Sequence, residues 1–274
     1  MAPDAPAQPL VRAVVIGITG RMGQALVRAA ATFPQIIITG ALASPESLGL
    51  GRDAGLLAGI GAANLTVTSD LPAALATADV AIDFSVAAAT PAHLAACRAA
   101  RKPLLIGTTG AGAQLEAALN VAARDIALLT AANTSIAVAV LSELTQRAAR
   151  ALPQSFDIDI LDLHHRGKRD APSGTALALG AAAARGRGQA PPGAVPVSVP
   201  RAAGEIRFAA VRAGDVIGEH TVLFSGPGEE LSLTHRALDR AVFAKGALAA
   251  AVWLASQPPG RYGMSEFLGF KTAT

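Results

Sequence analysis

The sequence predicts an α/β fold: a doubly wound parallel sheet domain, followed by an α+β domain with a mixed, largely antiparallel open sheet. Three observations lead there. Short, continuously apolar runs rich in β-branched residues alternate with helically spaced segments through the first half of the chain. That rhythm belongs to parallel strands covered on both faces by helices. A glycine turn, Gly17 to Gly23, closes the first such run. After Pro153 the strands alternate apolar with polar residues instead, as a sheet with one wet face requires.

Each element follows from its local pattern. Val11 to Ile16 is the first strand, bounded by Gly17, and Met22 to Thr32 has helical spacing. Ile36 to Leu42 is the second strand, and Ala78 to Phe84 is another, with Asp83 and Ser85 at its end. Thr90 to Arg101 is helical, and Leu104 to Ile106 is a strand stopped by Gly107-Thr108-Thr109-Gly110. Gln114 to Arg124 is a helix, Ile126 to Thr130 a strand and Ile136 to Ala151 a helix. In the second part, Phe156-Asp157-Ile158-Asp159-Ile160 starts a half-buried strand that reaches Leu163. A helix runs from Ser173 to about Ala184, and Gly186 to Pro200, rich in Pro and Gly, reads as a flexible loop. Ile206 to Arg212, Ile217 to Ser225 and Glu230 to His235 are strands separated by glycine-containing turns. Asp239 to Ser256 is a closing helix with the only tryptophan, Trp253, expected to pack back on the first domain.

Composition narrows the function classes. Of 274 residues, 16% are charged and the formal net charge is +3. So few charges predict well-covered helices and a subunit interface. The basic clusters (Arg98 to Lys102, Arg166 to Arg169, Arg185 to Arg187) are short and lack interleaved aromatics, which argues against a nucleic-acid partner. The single cysteine, Cys97, excludes an intramolecular disulfide and a multi-cysteine zinc site, and reads as an inert core thiol. Met1 to Leu10 has three prolines and no basic n-region, so a loose tail is expected rather than a signal peptide. The longest apolar run, Ala247 to Ala255, is too short to span a bilayer, and the expected location is the cytoplasm, with no membrane partner.

The glycine turn has the spacing Gly-x-x-Gly-x-x-Gly between a strand and a helix start. Glycines let the backbone turn tightly and approach a pyrophosphate, and the helix N–H groups then face its charge. Gly17, Ile18, Thr19, Gly20, Arg21, Met22 and Gly23 are therefore candidate cofactor residues in a Rossmann-like domain. The second strand ends in Ala41-Leu42-Ala43-Ser44-Pro45, with no carboxylate before Glu46. Without that carboxylate nothing repels a 2′-phosphate; Ser44 can donate to one and Arg21 can pair with it. NADPH is thus expected to serve at least as well as NADH. Gly107 to Gly110 and Ala131-Ala132-Asn133-Thr134 end strands of the same sheet and read equally as ligand loops or ordinary turns.

The densest chemistry lies in His164-His165-Arg166-Gly167-Lys168-Arg169-Asp170-Ala171-Pro172-Ser173-Gly174-Thr175. Two of five histidines and one of four lysines sit here, just after an apolar strand. Adjacent strand residues point to opposite faces, so the two histidines are expected to do different jobs. Imidazole titrates near neutrality, which suits a general acid. Ser173 starts a helix whose hydroxyls and first-turn N–H groups suit a carboxylate. No third metal ligand follows at a standard spacing, so no metal is expected. His220 and His235 alternate with apolar residues and read as structural or weakly site-facing; His93 reads as structural.

Asp162-Leu163-His164-His165-Arg166-Gly167-Lys168-Arg169-Asp170-Ala171-Pro172-Ser173-Gly174-Thr175-Ala176 resembles the signature of the 4-hydroxy-tetrahydrodipicolinate (dihydrodipicolinate) reductase family of lysine biosynthesis. Gly17 to Gly23, Ile82-Asp83-Phe84-Ser85, Ile106 to Gly110, Ala131-Ala132-Asn133, Val211 to Asp215 and Gly218-Glu219-His220-Thr221 match in order. The resemblance implies hydride transfer from NADPH or NADH to C4 of a dicarboxylate heterocycle, with His164 as proton donor and Lys168 as second catalytic residue. It implies substrate contacts from His165, Ser173, Gly174, Thr175 and Thr109. It adds cofactor contacts from Gly107, Thr108, Thr109, Ala131, Ala132, Asn133 and Thr134. It implies a nucleotide domain of residues 11–134 with 245–274, and a substrate and oligomerisation domain of 135–244 in a homotetramer, the domains closing over both ligands. Ala43-Ser44 departs from the family's acidic residue and arginine, Thr134 from its aromatic, and Gly167 is a variable point. Another two-domain NAD(P)-dependent dehydrogenase of amino-acid metabolism shares the nucleotide turn but not the His-His-x-x-x-Lys segment. A non-catalytic NADP-binding redox sensor would need neither His164 nor Lys168.

Overall fold

The computed structural model describes residues 10–109, 113–193, 200–202 and 204–270. The tail before Leu10, Gly110 of the glycine–threonine motif and residues 194–199 of the Pro/Gly-rich loop lie outside the described residues. The chain divides into two compact units, one running to Thr134 and resuming at Ala241, the other Ser135–Arg240.

The first unit opens with β1 (Val11–Ile16), α1 (Arg21–Ala30) and β2 (Ile36–Leu42). Then come α2 (Ala54–Ala58), β3 (Val67–Thr68), α3 (Leu71–Ala76), β4 (Val80–Asp83) and α4 (Thr90–Ala99). β5 (Leu104–Ile106), α5 (Ala113–Ala122) and β6 (Ala127–Thr130) complete its first segment. The second unit holds α6 (Ile136–Ala151), β7 (Asp157–His164), α7 (Gly174–Arg187), β8 (Ile206–Arg212), β9 (Glu219–Gly226) and β10 (Glu229–Arg236). The chain then returns to the first unit with α8 (Ala241–Leu254), β11 (Gly260–Tyr262) and α9 (Met264–Phe267).

Among the described residues, the first unit has a seven-stranded parallel sheet in the order β11-β6-β5-β4-β1-β2-β3. Strand order reverses at β1, which pairs with β2 on one side and β4 on the other. Ligands of such sheets sit beyond the strand C-termini at this switch point. One face carries a core of Leu75, Leu94, Cys97, Leu104, Leu119 and Leu128. On the other, α8 packs against α1 and β4 to β6, burying Ala244, Gly246, Ala247, Leu248, Ala250, Ala251 and Leu254. Alanine and glycine along α8 let the helix lie close to the sheet.

The second unit is a four-stranded sheet, β10-β9-β7-β8, antiparallel except for the parallel β7–β8 pair. Period-two alternation divides its faces. Ile158 and Ile160 of β7, Phe208 of β8, and Val222 and Phe224 of β9 meet α6 and α7 in one core. Leu161 and Val211 lie on the opposite, open face and are 42% and 54% exposed. Arg201 crosses that face, its guanidinium 2.8 Å from Asp159 and 3.0 Å from Asp157.

Several boundaries differ from the expected ones. α1 ends at Ala30, not Thr32, and α7 extends through Gly186 and Arg187 to a left-handed cap at Gly188 (φ 65°), shortening the expected loop. β9 starts at Glu219 rather than Ile217. The short elements α2, β3, α3, β11 and α9 were not expected. Phe224 is fully buried. Phe224→Ala should lower unfolding stability of the second unit by about 3–5 kcal/mol, read from urea melts at constant slope.

Candidate functional site

In the first unit, the glycine turn is built for close approach. Gly17 has φ 89°, and a Cβ there would lie 2.6 Å from the Phe84 carbonyl oxygen. Any side chain at 17 would therefore meet both left-handed strain and the backbone just after β4. A Cβ at Gly23 would collide with Gly17 itself, so α1 can start this near the turn only with glycine. The N–H groups of Gly17 and Ile18 both donate to Leu42 O at 2.9 Å, fastening the turn to the end of β2.

A cavity of about 550 Å³ opens at the C-terminal ends of β1, β2 and β4. Gly17, Thr19, Gly20, Ser44, Pro45, Ser69, Ser85 and His93 are among its lining residues. These residues suit a dinucleotide: glycine amides for phosphate, apolar walls for a base, and hydroxyls of Ser44 and Ser69. Among the described residues, no carboxylate lines it. Of the expected cofactor residues, Arg21 is exposed and does not line the cavity, Ile18 is buried beneath the turn and Met22 is half-buried.

The neighbouring strand ends are tied together. Gly107 N–H donates to Asp83 O at 2.9 Å, and Ala131 N–H to Ile106 O at 3.0 Å. Thr108 Oγ1 donates to Asp83 Oδ1 at 3.2 Å, while Thr109 and Ala132 are exposed and Asn133 half-buried. Thr134 is buried and its Oγ1 donates to Phe243 O at 2.7 Å, so its side chain fastens the chain to α8 rather than facing a ligand. His93 does more than fill space. Its Nδ1 lies 3.0 Å from Asp83 Oδ2 and the ring lines the cavity. Burial pushes the Asp83 carboxyl up, but hydrogen bonds from His93 and Ser85 outweigh it and hold the group below the usual range. Burial, helped by the charge of Asp83, pushes the Cys97 thiol up to about 12, so it stays protonated and inert.

In the second unit, strand register assembles a buried polar cluster around Asp162. On β7, Asp162 and His164 are two residues apart and share the helix-covered face. Asp162 is opposite His220 of β9, and His164 opposite Arg212 of β8. Asp162 Oδ1 lies 2.9 Å from His164 Nδ1 and 3.2 Å from His220 Nε2. Oδ2 accepts from Ser173 N–H at 2.8 Å and from Arg212 Nη2 at 3.0 Å. Burial pushes this carboxyl up, yet the close His164 and His220 rings and the Ser173 N–H prevail and hold it well below the ordinary carboxylate range. The His164 and His220 rings meet edge to face with centroids 5.1 Å apart.

The loop after β7 carries the other expected groups. Lys168 Nζ is 2.9 Å from Asp170 Oδ2. His165 is half-buried and folds toward Gly167. Ser173 caps α7, its Oγ accepting from Ala176 N–H at 3.2 Å, with Gly174 exposed and Thr175 buried in the first turn. No acidic residue stands in that turn, although the Asp162 carboxylate already takes the Ser173 N–H at the cap.

Comparison with known proteins agrees with this layout. The family pattern described as "Dihydrodipicolinate reductase, N-terminus" matches residues 11–134, and that described as "Dihydrodipicolinate reductase, C-terminus" matches 137–268. The chain belongs to the dihydrodipicolinate reductase family. It is 45% identical over 264 residues to the 4-hydroxy-tetrahydrodipicolinate reductase of Rhodopseudomonas palustris (strain BisB18), covering 94% of this chain and 97% of that one. It is 46% identical to the 4-hydroxy-tetrahydrodipicolinate reductase of Alkalilimnicola ehrlichii, covering 94% and 98%. The solved dipicolinate-bound dihydrodipicolinate reductase of Paenisporosarcina sp. TG-14 shares the fold, with TM-score 0.74, 22% identity, and coverage of 94% and 98%.

Within this reductase the sequence reading missed Asp162, Arg212 and His220 as members of one cluster. In the sequence Asp162 is one of several acidic residues alternating with apolar ones, and His220 alternates with apolar residues, so neither stands out. Only strand register joins them. Among the described residues, Asp162, His164 and His220 form one group with metal-ligand spacing, their ligand atoms within 4.8 Å of one another. Arg212 pairs with the same carboxylate and its charge opposes a cation there. With no carboxylate in the cofactor cavity, kcat/KM for NADPH should equal or exceed that for NADH. A tenfold preference for NADH in steady-state assays would contradict this reading.

Proposed function

We propose that the chain reduces 4-hydroxy-tetrahydrodipicolinate to tetrahydrodipicolinate with NADPH or NADH, on the diaminopimelate route to lysine, using His164 and Lys168. Residues 11–134 with 245–274 serve as the dinucleotide-binding domain, and 135–244 as the substrate-binding and oligomerisation domain. The observation that carries this reading is the β7–α7 junction. An imidazole, an ammonium and a serine-capped helix start lie within one short segment of a chain with a glycine-cradled nucleotide cavity.

After the 4-hydroxyl leaves as water, NAD(P)H, when bound, would supply a hydride to C4 of the resulting conjugated ring, leaving an enamine to be protonated. His164 gives the proton that completes the reduction, from a ring fixed by its buried neighbours. Lys168 meets a substrate carboxylate. Its present partner, Asp170, is 58% exposed, so an incoming anion can replace it at little desolvation cost. Ser173, Gly174 and Thr175 hold a carboxylate at the start of α7 through hydroxyls and amides. His165 and Thr109 complete the substrate contacts. Gly17 to Gly23, Ser44, Gly107 to Thr109 and Ala131 to Asn133 are the cofactor-binding segments, with Thr134 anchoring the last of them to α8.

The open face of the second unit's sheet, with Leu161 and Val211 exposed and Leu163 and Leu223 half-buried beside them, is the proposed contact in a homotetramer. No helix among the described residues is long and apolar enough to cross a membrane. The proposed location is the cytoplasm, where NAD(P)H is drawn on.

His164→Ala should lower kcat by about a hundredfold or more, the scale of a lost general acid, with a modest change in KM. Lys168→Ala should impair both kcat and KM, since a charged hydrogen bond is worth about 1.5–3 kcal/mol. NADPH absorbance with freshly made substrate reads both, and near-normal turnover of both variants would remove the assignment. Val211→Glu should reduce the mass measured by light scattering below four subunits. A wild-type mass of one subunit would refute the tetramer.

A further inference from the structure

We propose that Asp162 and His220 are positioning residues for His164: the Asp162 carboxylate holds the imidazole with its Nδ1 inward, and Gly218 leaves Nε2 open as the atom that gives up the proton. This rests on reading His164 as the proton donor. It adds which nitrogen acts, what orients it, and why residue 218 is glycine.

The geometry begins with β7. Asp162 and His164 project from the same face, and their side chains meet at 2.9 Å through Oδ1 and Nδ1. The contact is within ion-pair distance but off the linear hydrogen-bond line, so a modest turn of the ring closes it. A carboxylate facing one imidazole nitrogen fixes the proton on that nitrogen and leaves the other to the reaction. The other nitrogen, Nε2, points to β9's entry, where a Cβ at Gly218 would lie 3.0 Å from it. Gly218 has no positive φ in this structure, so its backbone does not demand glycine. A methyl group there would instead press against Nε2.

Asp162 can orient His164 only if Asp162 itself cannot swing. Oδ2 is held by Ser173 N–H and by Arg212, and Oδ1 also faces His220 Nε2 at 3.2 Å. His220 Nε2 further meets Ser173 Oγ at 3.1 Å. One buried carboxylate thus joins the proton donor to Ser173, the cap of the helix that faces the substrate carboxylate.

The titratable and charged groups around His164 are Asp162 on its own strand, Arg212 on β8 and His220 on β9. His235 stands opposite His220 on β10, and the Lys168–Asp170 pair lies in the loop after β7. A pH profile of kcat must be read against all of these.

The test joins activity with nitrogen-15 imidazole NMR of the full chain. In wild-type protein at alkaline pH, the neutral ring should carry its proton on Nδ1. Asp162→Asn should lower kcat at least tenfold, leave KM for NADPH within twofold, and mix the two tautomers of His164. Asp162→Glu should restore part of the rate and the Nδ1–H signal. His220→Gln, the second variant should Asp162→Asn fail to fold, should lower kcat several-fold and alter the pH profile. Gly218→Ala should lower kcat at least tenfold with the Nδ1–H tautomer intact. Wild-type kcat and pH profile in a folded Asp162→Asn or His220→Gln, an Nε2–H tautomer in the wild type, or stoichiometric zinc bound through these residues would overturn the proposal. If His164→Ala itself turned over normally, the donor assignment would fail instead, a distinct result.

Discussion

The second unit turns on one buried charge. The Asp162 side chain is fully buried, and an isolated carboxylate in that position would be far too costly to keep ionised. It stays charged because donors converge on it from β7, β8, β9 and the α7 cap. Each comes from a different element, so the cluster forms only when β7 lies between β8 and β9 in the observed register. A slip of one residue would send Asp162 and His164 to the opposite face of the sheet. Removing a single partner leaves the charge unbalanced, whereas forming all of them together pins strand order, register and helix start at once.

The first unit solves a different problem, bringing backbone rather than charge to a ligand. Phe84 is its wedge. The Phe84 backbone leaves no space for a Cβ on Gly17, and the Phe84 ring fills the space a Cβ on Gly107 would take. Those two glycines end β1 and β5, so the close packing at the switch point is distributed over both neighbours of β4. Among the described residues, the cavity beside it is lined by apolar and hydroxyl side chains, with His93 the only titratable one. The cavity thus offers backbone amides and hydroxyls, whereas His164, His165, Arg166, Lys168 and Arg169 lie together at the β7–α7 junction. That division matches the two ligands. A dinucleotide offers its phosphates to a helix end, and a small dianion needs a formal countercharge.

The sequence made the long, periodic elements legible. Ile136–Ala151 matches its expected bounds because Ser135 caps it and its apolar spacing is sustained. The same reasoning missed α3, although Asp70 ahead of Pro72 is an N-cap followed by a helix-start proline. Six residues are too few for periodicity to show. β3 has two residues and β11 three, and both exist only because a neighbouring strand edge accepts them. The extension of α7 past Ala184 was concealed by Gly186, which fits because the helix passes close to the backbone of Gln146 on α6. Tertiary contact overrode a weak local propensity.

The site divides along the same line. Residues within one contiguous segment, from His164 to Thr175, were readable because spacing in sequence equals proximity in space there. Arg212 and His220 lie far along the chain, and sequence alone does not set their register against β7. A signal was present nonetheless. Leucine, isoleucine and aspartate alternate through β7, and Asp162 is the only one of its acidic residues on the apolar face. Asp157 and Asp159 fall on the open face, where Arg201 reaches them. A carboxylate out of phase with its strand's polar side must find partners inside. The residues able to provide them are then limited to basic and imidazole groups on the inward phase of adjacent strands. Applied to β8 and β9, that condition selects Arg212 and His220.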